Sequence, residues 1–259
     1  ELPAFRQNPP ATTMVRINAA RQRIYVGDEK AQGIAVLDRN AQLIDTIPLG
    51  DVPVDLVETD AGIYVTCIGS FMPSEYYRAS FVFLPRVGEG FGPKKVLLDK
   101  LPRATQARFA DFNGDGRPDF ALCMFGNRTG RFSWFENLGG DRYEEHILSS
   151  KAGAMVCHVQ DLNGDGKPDL MVLMAQELEM PILMLNDGKG HFSSDSVYQK
   201  PPVWGHSSFE LADFNRDDCP VSDALCQRVF ALPMHHDISD DHVRIIGESL
   251  NKVAAAYRA

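Results

Sequence analysis

Short apolar runs separated by polar turns recur along most of the chain. Residues 23–26 (RIYV), 34–37 (IAVL) and 43–47 (LIDTI) alternate with turn segments near the start, and 120–125 (FALCMF) and 170–174 (LMVLM) are continuous apolar runs further on. Runs of four to eight such residues, bounded by turn residues, are typical of β-strands rather than of amphipathic helices. The pattern predicts an all-β fold.

The apolar runs belong to a repeat of about 50 residues. Residues 134–137 (WFEN) and 183–186 (LMLN) each precede a glycine-rich turn and an aromatic residue, and their two asparagines, Asn137 and Asn186, are 49 positions apart. A third hairpin of this kind occurs at residues 81–91. Glycine-rich connections between apolar runs are typical of β-hairpins. Units of this length with four short antiparallel strands predict the blades of a β-propeller.

Four such units and a fraction of a fifth are present. We predict a propeller domain over residues 1–217, with blades near 15–50, 51–100, 101–150 and 151–200 and a partial blade at 201–217. Closed propellers have four to eight blades. The chain is therefore either a small propeller or part of a larger one, and the sequence leaves both alternatives open.

Two nearly identical acidic loops begin 50 residues apart, at residues 111–119 (DFNGDGRPD) and 161–169 (DLNGDGKPD). Each has oxygen-bearing side chains at positions 1, 3, 5 and 9 and a glycine at position 6, an alternation that directs hard oxygen ligands toward one divalent cation such as calcium. The same residue types are also common turn formers. A plain turn does not require four such side chains twice, and three carboxylates repel one another without a cation.

The residues after each loop exclude an EF-hand. An EF-hand has a bidentate glutamate at position 12 and continues into a helix, whereas position 12 is Leu122 in the first loop and Val172 in the second. Position 8 is a proline in both, Pro118 and Pro168, which removes a backbone donor. The apolar runs that follow predict that each loop leads into a buried strand.

A nine-residue acidic loop that leads into a strand resembles the calcium loop of FG-GAP/VCBS repeats, the units of integrin-α-type β-propellers. The resemblance implies two calcium sites, each with four side-chain ligands and one backbone carbonyl. The implied ligands are Asp111, Asn113, Asp115, the carbonyl of Arg117 and Asp119 in the first loop, and Asp161, Asn163, Asp165, the carbonyl of Lys167 and Asp169 in the second.

A third copy of the loop is degenerate. Asp213, Asn215 and Asp217 occupy positions 1, 3 and 5, but Asp218 replaces the glycine of position 6 and Val221 replaces the aspartate of position 9. With three of the four side-chain ligands, this copy is expected to bind calcium weakly or not at all.

Residues 218–259 form a C-terminal tail with a different pattern. Apolar residues at helical spacing, with Ser239 as an N-cap, predict a helix over about 240–257. Residues 219–259 resemble the C-terminal segment of DegT/DnrJ/EryC1 sugar aminotransferases. In that family the pyridoxal phosphate lysine lies far upstream of this segment, and nothing in residues 1–217 resembles it, so no catalytic or cofactor-binding residue is assigned.

The composition of the chain argues against some classes of binding partner. The 259 residues carry a net charge of −9, which argues against nucleic acid and anionic membrane surfaces as partners. No apolar run is long enough for a transmembrane helix. Three of the five cysteines, Cys67, Cys123 and Cys157, lie in strand-like apolar runs and are predicted to be buried thiols.

These observations lead to one main hypothesis and two alternatives. The main hypothesis is a calcium-binding propeller, secreted or periplasmic, that acts as a binding or scaffold module for a glycan or protein partner. The first alternative is a propeller enzyme acting on an extracellular polysaccharide, with candidate histidines His146, His158, His191 and His206. The remote alternative is a fragment related to a pyridoxal-phosphate-dependent sugar aminotransferase. Whether the chain is an enzyme, and its oligomeric state, stay open.

Overall fold

The structure, a computed structural model, describes residues 11–176, 179–197, 207–211 and 229–230. Within these residues every helix or strand is a β-strand, numbered β1 to β19 in chain order. The prediction of an all-β fold is therefore confirmed. The predicted helix over 240–257, and all of the tail except residues 229–230, lie outside the described residues.

The strands form successive antiparallel sheets, and within a sheet each strand pairs with the next one along the chain, except that β9 pairs with β7. Sheet 1 contains β1 (Thr12–Asn18), β2 (Arg23–Asp28), β3 (Gly33–Asp38) and β4 (Leu43–Pro48). Sheet 2 contains β5 (Pro53–Glu58), β6 (Gly62–Cys67), β7 (Ala79–Val87), β8 (Gly90–Phe91) and β9 (Lys95–Leu101). Sheet 3 contains β10 (Ala104–Ala110), β11 (Asp119–Met124), β12 (Arg131–Gly139) and β13 (Arg142–Ser149). Sheet 4 contains β14 (Ala154–Gln160), β15 (Asp169–Ala175), β16 (Glu179–Asn186) and β17 (Phe192–Ser196). A last sheet pairs β18 (Glu210–Leu211) with β19 (Val229–Phe230).

Sheet 2 departs from the expected four strands. The short strand β8 forms a hairpin with the end of β7, and β9 pairs with the earlier part of β7 as the fourth long strand. The extra hairpin arises because β7 continues to Val87 before the turn at Gly88, where φ is +58°.

The first strands of the four sheets pack against one another in order. β5 packs against β1 and β10, and β10 packs against β14. These strands therefore form the inner layer of a curved row of sheets, as blades do in a propeller. We refer to sheets 1 to 4 as blades 1 to 4.

An arginine–aspartate–arginine group joins three of the inner strands. Asp55 in β5 is 1% exposed, and its two carboxylate oxygens accept from Arg16 in β1 at 2.6 Å and from Arg108 in β10 at 2.9 Å. Its second oxygen also accepts from the backbone N–H of Ala107 at 3.2 Å. The buried carboxylate is thus paired on both sides, which offsets the free-energy cost of its burial.

Apolar cores fill the spaces between neighbouring blades. Residues from blades 1 and 2 form one cluster, residues from blades 2 and 3 a second, and residues from blades 3 and 4 a third. On the far face of blade 4, Phe209 packs with Met171, Leu173 and Leu162. The segment 207–211 therefore covers blade 4 on the side away from blade 3.

Candidate functional site

The two acidic loops connect the first and second strands of blades 3 and 4. The first loop follows β10 and enters β11 at Asp119, and the second follows β14 and enters β15 at Asp169. All six residues of β11 are buried, and in β15 all but the last are buried. The expectation that each loop leads into a buried strand is confirmed.

The first aspartate of each loop ties the turn together through backbone N–H groups. In the first loop, the Asp111 carboxylate accepts from Gly114 at 2.8 Å, Asp115 at 3.1 Å and Gly116 at 2.8 Å. In the second, the Asp161 carboxylate accepts from the three corresponding residues, at 2.7, 3.1 and 2.9 Å. The two loops therefore have the same pattern of internal hydrogen bonds.

Glycine at position 6 is required by the backbone. Gly116 and Gly166 have φ of +82° and +80°, in the left-handed region that side chains with a Cβ rarely adopt. The loop turns tightly at this point, and the N–H of the glycine donates to the carboxylate of position 1. The glycine at position 6 of the sequence pattern is therefore explained by its backbone conformation.

The aspartate at position 9 is buried and anchors the loop to the sheet. Asp119 is 0% exposed; it accepts from the N–H of Phe112 at 3.0 Å and from the N–H of Asn137 in β12 at 2.8 Å. Asp169 is likewise buried and accepts from Leu162 at 2.9 Å and Asn186 at 2.8 Å. This structural function of position 9 was not part of the sequence-based prediction.

The pKa of the position-9 aspartate is raised in each loop. Burial raises the pKa of Asp119, two backbone N–H groups partly offset the increase, and the nearby carboxylates of Asp115 and Asp111 raise it further. The pKa of Asp169 is raised for the same reasons, with Asp165 and Asp161 as the neighbouring charges. Each loop therefore concentrates negative charge around a partly desolvated carboxyl group.

A basic side chain at position 7 partly balances this charge. The guanidinium of Arg117 pairs with the carboxylate of Asp115, and the Lys167 ammonium lies 3.2 Å from the Asp165 carboxylate. Arg117 also donates to the carbonyl of Asn137 at 2.6 Å. Positions 5 and 7 thus form an ion pair at the rim of each loop.

The first loop has an additional acidic neighbour. The Nδ2 group of Asn113 donates to Glu136 at 3.1 Å, and Glu136 also contacts His146 at 3.0 Å. Glu136 was noticed in the sequence only as part of a repeated hairpin, because its approach to the loop depends on the pairing of β11 with β12. The corresponding position 49 residues later is Leu185.

The donor set of each loop suits a hard divalent cation in its chemistry. Three carboxylates, one amide oxygen and one backbone carbonyl are the oxygen ligands that calcium prefers. In the part of the chain that the structure describes, no three His, Cys, Asp or Glu side chains converge in a metal-ligating arrangement. The carboxylates of positions 1 and 9 are turned toward backbone N–H groups instead.

The candidate histidines do not share one site. His146 stacks on Trp134 in blade 3, the Nε2 group of His158 donates to the carbonyl of Phe209 at 2.9 Å, and His191 pairs with Asp187 in the turn before β17. His206, and the third loop at residues 213–221, lie outside the described residues.

Comparison with known proteins supports the repeat assignment. Residues 111–172 and 161–220 each match a family model described as FG-GAP-like repeat. Each acidic loop lies within the residues that this family model matches. No match was found among curated protein sequences.

Solved structures with a similar fold include a propeller. The chain is similar to the Dos1 propeller, with a TM-score of 0.51 and 11% identity over 76% of this chain and 48% of that one. It is also similar to the hydrazine synthase of Kuenenia stuttgartiensis, with a TM-score of 0.50 and 13% identity over 72% of this chain and 54% of that one. The fold is a β-propeller, and the chain spans about half the length of these two structures.

Proposed function

We propose that this chain is a calcium-stabilised propeller that acts as a binding or scaffold module for a glycan or protein partner. The proposal is supported by the hydrogen-bond pattern that the two acidic loops share, in which Asp111 and Asp161 accept from equivalent backbone N–H groups in consecutive blades. A binding module presents loops from a rigid sheet scaffold, and FG-GAP-like repeats on a propeller provide such a scaffold.

The proposed ligands are the side chains at positions 1, 3, 5 and 9 and the carbonyl at position 7 of each loop. Calcium would supply positive charge that offsets the repulsion among these carboxylates. Asp111 and Asp161 would hold the turn, while Asp119 and Asp169 would connect the site to the following strand. Ion binding would then stabilise the junction between the first and second strands of blades 3 and 4.

Positions 5 and 7 are the part of the loop that would rearrange. Asp115 and Asp165 pair with Arg117 and Lys167. A cation at the loop would compete with these basic side chains for the carboxylate, while the position-7 carbonyl turns toward the ion. Because this ion pair is exposed to solvent, breaking it costs little free energy.

The enzymatic alternative has less support. The described candidate histidines lie on separate elements, each with a partner of its own. The aminotransferase resemblance concerns residues 219–259, which fall almost entirely outside the described part of the chain, and it stays a prediction.

A secreted or periplasmic location is part of the same proposal. Calcium concentrations outside the cytoplasm are high enough to fill loops of modest affinity. Cys67, Cys123 and Cys157 are buried free thiols, as predicted. The described residues include no helix that is both long enough and apolar enough to cross a membrane.

Thermal and chemical unfolding with calcium and with EGTA test the ion sites. At about tenfold excess of calcium over Kd, each site is expected to add about 1.4 kcal/mol to the free energy of unfolding. Asp115→Ala and Asp165→Ala should each remove about half of the total calcium-dependent gain. Asp99→Ala, which removes an exposed aspartate of β9 outside the loops, is the matched control and should keep the full gain.

An unfolding curve of the unmodified protein that is the same in calcium and in EGTA would overturn the ion assignment. A glycan array and an affinity capture with secreted proteins, each run with and without calcium, would then separate the two classes of partner. Binding in neither assay would count against the module hypothesis.

A further inference from the structure

An open cleft lies between the inner strands of blades 1, 2 and 3. Its volume is about 440 Å³, which is within the range of about 300–1,000 Å³ that is common for small-ligand pockets. The residues that line it come from the inner strands β1, β5 and β10, from Tyr25 of β2 and from the turn after β1. The cleft is therefore large enough for one small ligand.

The charged side chains of the cleft leave one positive charge in excess. Those that line it are Arg16, Glu58 and Arg108. The Glu58 carboxylate is already paired with Arg86. The buried carboxylate of Asp55 supplies one negative charge against the two positive charges of Arg16 and Arg108. The cleft is thus locally cationic in a chain whose net charge is −9.

The guanidinium of Arg108 has an unused hydrogen-bonding edge. Its Nη1 group donates to Asp55 at 2.9 Å and to the carbonyl of Ala107 at 2.7 Å. Its Nε and Nη2 groups have no acceptor among the residues that the structure describes. These two groups lie side by side and suit the two oxygens of one carboxylate. Because the Arg108 side chain lines the cleft and is 29% exposed, this edge is available to a ligand.

Asp55 holds the two arginines in place before a ligand binds. Arg16 uses its own Nε and Nη2 groups on Asp55, at 3.1 and 2.6 Å. The Asp55 side chain is 1% exposed, and it also accepts from the N–H of Ala107 at 3.2 Å. A side chain that is already fixed loses less conformational freedom on binding. The free edge of Arg108 is therefore a preorganised donor pair.

The uncharged part of the cleft is largely apolar. Tyr25 and Leu56 are buried at its floor, whereas Ile17 is 72% exposed at its rim. Ligand pockets commonly combine an apolar lining with a few polar groups that fix the orientation of the ligand. A sugar ring meets both demands, because the C–H face of the ring packs on apolar side chains while a carboxylate on the same ring reaches the arginine.

We propose that this cleft binds the carboxylate of a uronic acid unit in an acidic glycan, on the Nε and Nη2 groups of Arg108. The inference deepens the proposed binding module, on which the choice of a glycan rests. One excess positive charge matches the single negative charge of a uronate. The size favours a sugar unit over a folded protein, since a specific protein interface takes about 20–30 residues from each partner, whereas nine residues line this cleft.

Isothermal titration calorimetry with methyl glucuronide tests the proposal, with methyl glucoside as the uncharged control. The buffer contains EGTA and about 50 mM salt, which limits the screening of charges. We expect the glucuronide to bind with a Kd of about 1 mM, and the glucoside to bind about tenfold more weakly or not at all. Because calcium is absent, this titration and the calcium-dependent unfolding experiment can fail independently of each other.

Arg108→Lys tests the hydrogen-bonding edge. Lysine keeps the positive charge beside Asp55 but cannot donate two parallel hydrogen bonds to one carboxylate, so the Kd should rise about fivefold or more. Arg131→Lys is the matched control, because Arg131 pairs with Glu145 in blade 3 and does not line the cleft. This control should bind the glucuronide as the unmodified protein does.

Ile17→Glu tests the cleft without disturbing the buried ion pairs. It places a negative charge at the rim, which should repel the glucuronide and abolish measurable binding. Because Ile17 is largely exposed, the variant should keep the melting temperature of the unmodified protein. Ile147→Glu makes the same change at a side chain that is 58% exposed on β13, and it should leave binding unchanged.

Three results would each overturn the proposal. They are equal binding of glucuronide and glucoside, no binding of the glucuronide at about 20 mM, and unchanged binding in both Arg108→Lys and Ile17→Glu. An acetylated glutamate amide, titrated in the same way, represents an acidic peptide. Tighter binding of this compound than of the glucuronide would identify a peptide as the ligand, and the glycan proposal would be wrong.

Discussion

The Nδ2 group of Asn186 donates a hydrogen bond to the carbonyl oxygen of Phe112 at 2.9 Å, across 74 residues of sequence. The N–H of Gly190 donates to the same oxygen at 2.9 Å. Phe112 is position 2 of the first acidic loop, whereas Asn186 and Gly190 belong to the last hairpin of blade 4. The first loop is therefore held by two blades.

Asn186→Ala should destabilise the protein more than the same change at the equivalent residue of blade 3. Asn186 is 3% exposed and donates to both Phe112 and Pro168. Asn137 donates to Pro118 only. The carbonyl of Phe112 keeps its bond from Gly190 in this variant, so the additional loss is the net contribution of one hydrogen bond, about 0.5–1.5 kcal/mol.

Urea unfolding measures both variants, with Asn137→Ala as the control. We expect Asn186→Ala to cost about 0.5–1.5 kcal/mol more than Asn137→Ala. Equal losses would mean that the bond between the blades contributes nothing to stability.

Gly190→Ala should be much more harmful than Gly140→Ala. Both glycines have positive φ, +80° and +64°, so an alanine is strained at either position. A Cβ at Gly190 would lie 2.6 Å from Cζ2 of Trp134, whereas a Cβ at Gly140 would have nothing within 4 Å. Trp134 itself is fixed between Phe112 and His146.

The difference between these two variants isolates the steric clash from the backbone strain. Gly140→Ala is expected to cost about 1 kcal/mol, and Gly190→Ala about 1–3 kcal/mol more because of overpacking. Thermal unfolding checks this, and similar melting temperatures for the two variants would contradict it.

Glu58 should contribute stability that depends on pH. Burial alone would raise the pKa of Glu58, but hydrogen bonds from Arg86 and Asn18 outweigh it, and the pKa is lowered from 4.5. A carboxyl group with a lowered folded-state pKa stabilises the fold above its unfolded pKa and loses this contribution as pH falls through the folded value. Its side chain is 5% exposed, so solvent screens the pair with Arg86 only weakly.

Glu58→Gln should therefore cost about 2 kcal/mol near pH 7. The cost should be constant from pH 7 down to about 5 and should shrink as the pH falls below 4.5. Asp60→Asn removes a fully exposed acid beside Arg21 and should have little effect at any pH. A cost of Glu58→Gln that does not change with pH would show that the carboxylate charge is not the source of the stability.

Lys167→Ala should strengthen calcium binding at the second loop. The Lys167 ammonium lies 3.2 Å from the Asp165 carboxylate and would compete with the ion for it. Removing one positive charge at this range in an exposed loop is expected to lower Kd about twofold to fivefold. Isothermal titration with calcium measures this, and Lys189→Ala, in the adjacent hairpin turn, is the control. An unchanged or weaker affinity in Lys167→Ala would place the ion elsewhere or exclude it.

The sequence alone predicted the all-β fold class, and it predicted that each acidic loop leads into a buried strand. The apolar runs at 120–125 and 170–174 contribute the buried strands β11 and β15, in agreement with their short length and the tight acidic turn before each of them. The 49-residue spacing of Asn137 and Asn186 also identified equivalent hairpins correctly.

Contacts between blades could not be predicted in the same way. Spacing marks Asn137 and Asn186 as equivalent, yet only Asn186 reaches a loop of the neighbouring blade. The group of Arg16, Asp55 and Arg108 joins three strands far apart in sequence, so no local pattern indicates it. Periodicity reports the local environment of a residue, whereas these bonds depend on how the sheets curve around one another.

The position-9 aspartates illustrate a further limit. An aspartate is a suitable metal ligand, and the hypothesis that Asp119 and Asp169 bind calcium stays a prediction. In the structure each of them accepts one hydrogen bond from an N–H of its own loop and one from an N–H of the paired strand. The strand partner is known only once the register is known.

The bond from Asn186 to Phe112 also sets an order of events during synthesis. The carbonyl of Phe112 leaves the ribosome 74 residues before the asparagine that caps it. At 5–20 residues per second, this is a wait of roughly 4–15 s. During that interval the first loop has only its internal hydrogen bonds and those to its own blade, so its final rigidity is acquired when the fourth blade emerges and folds onto the third.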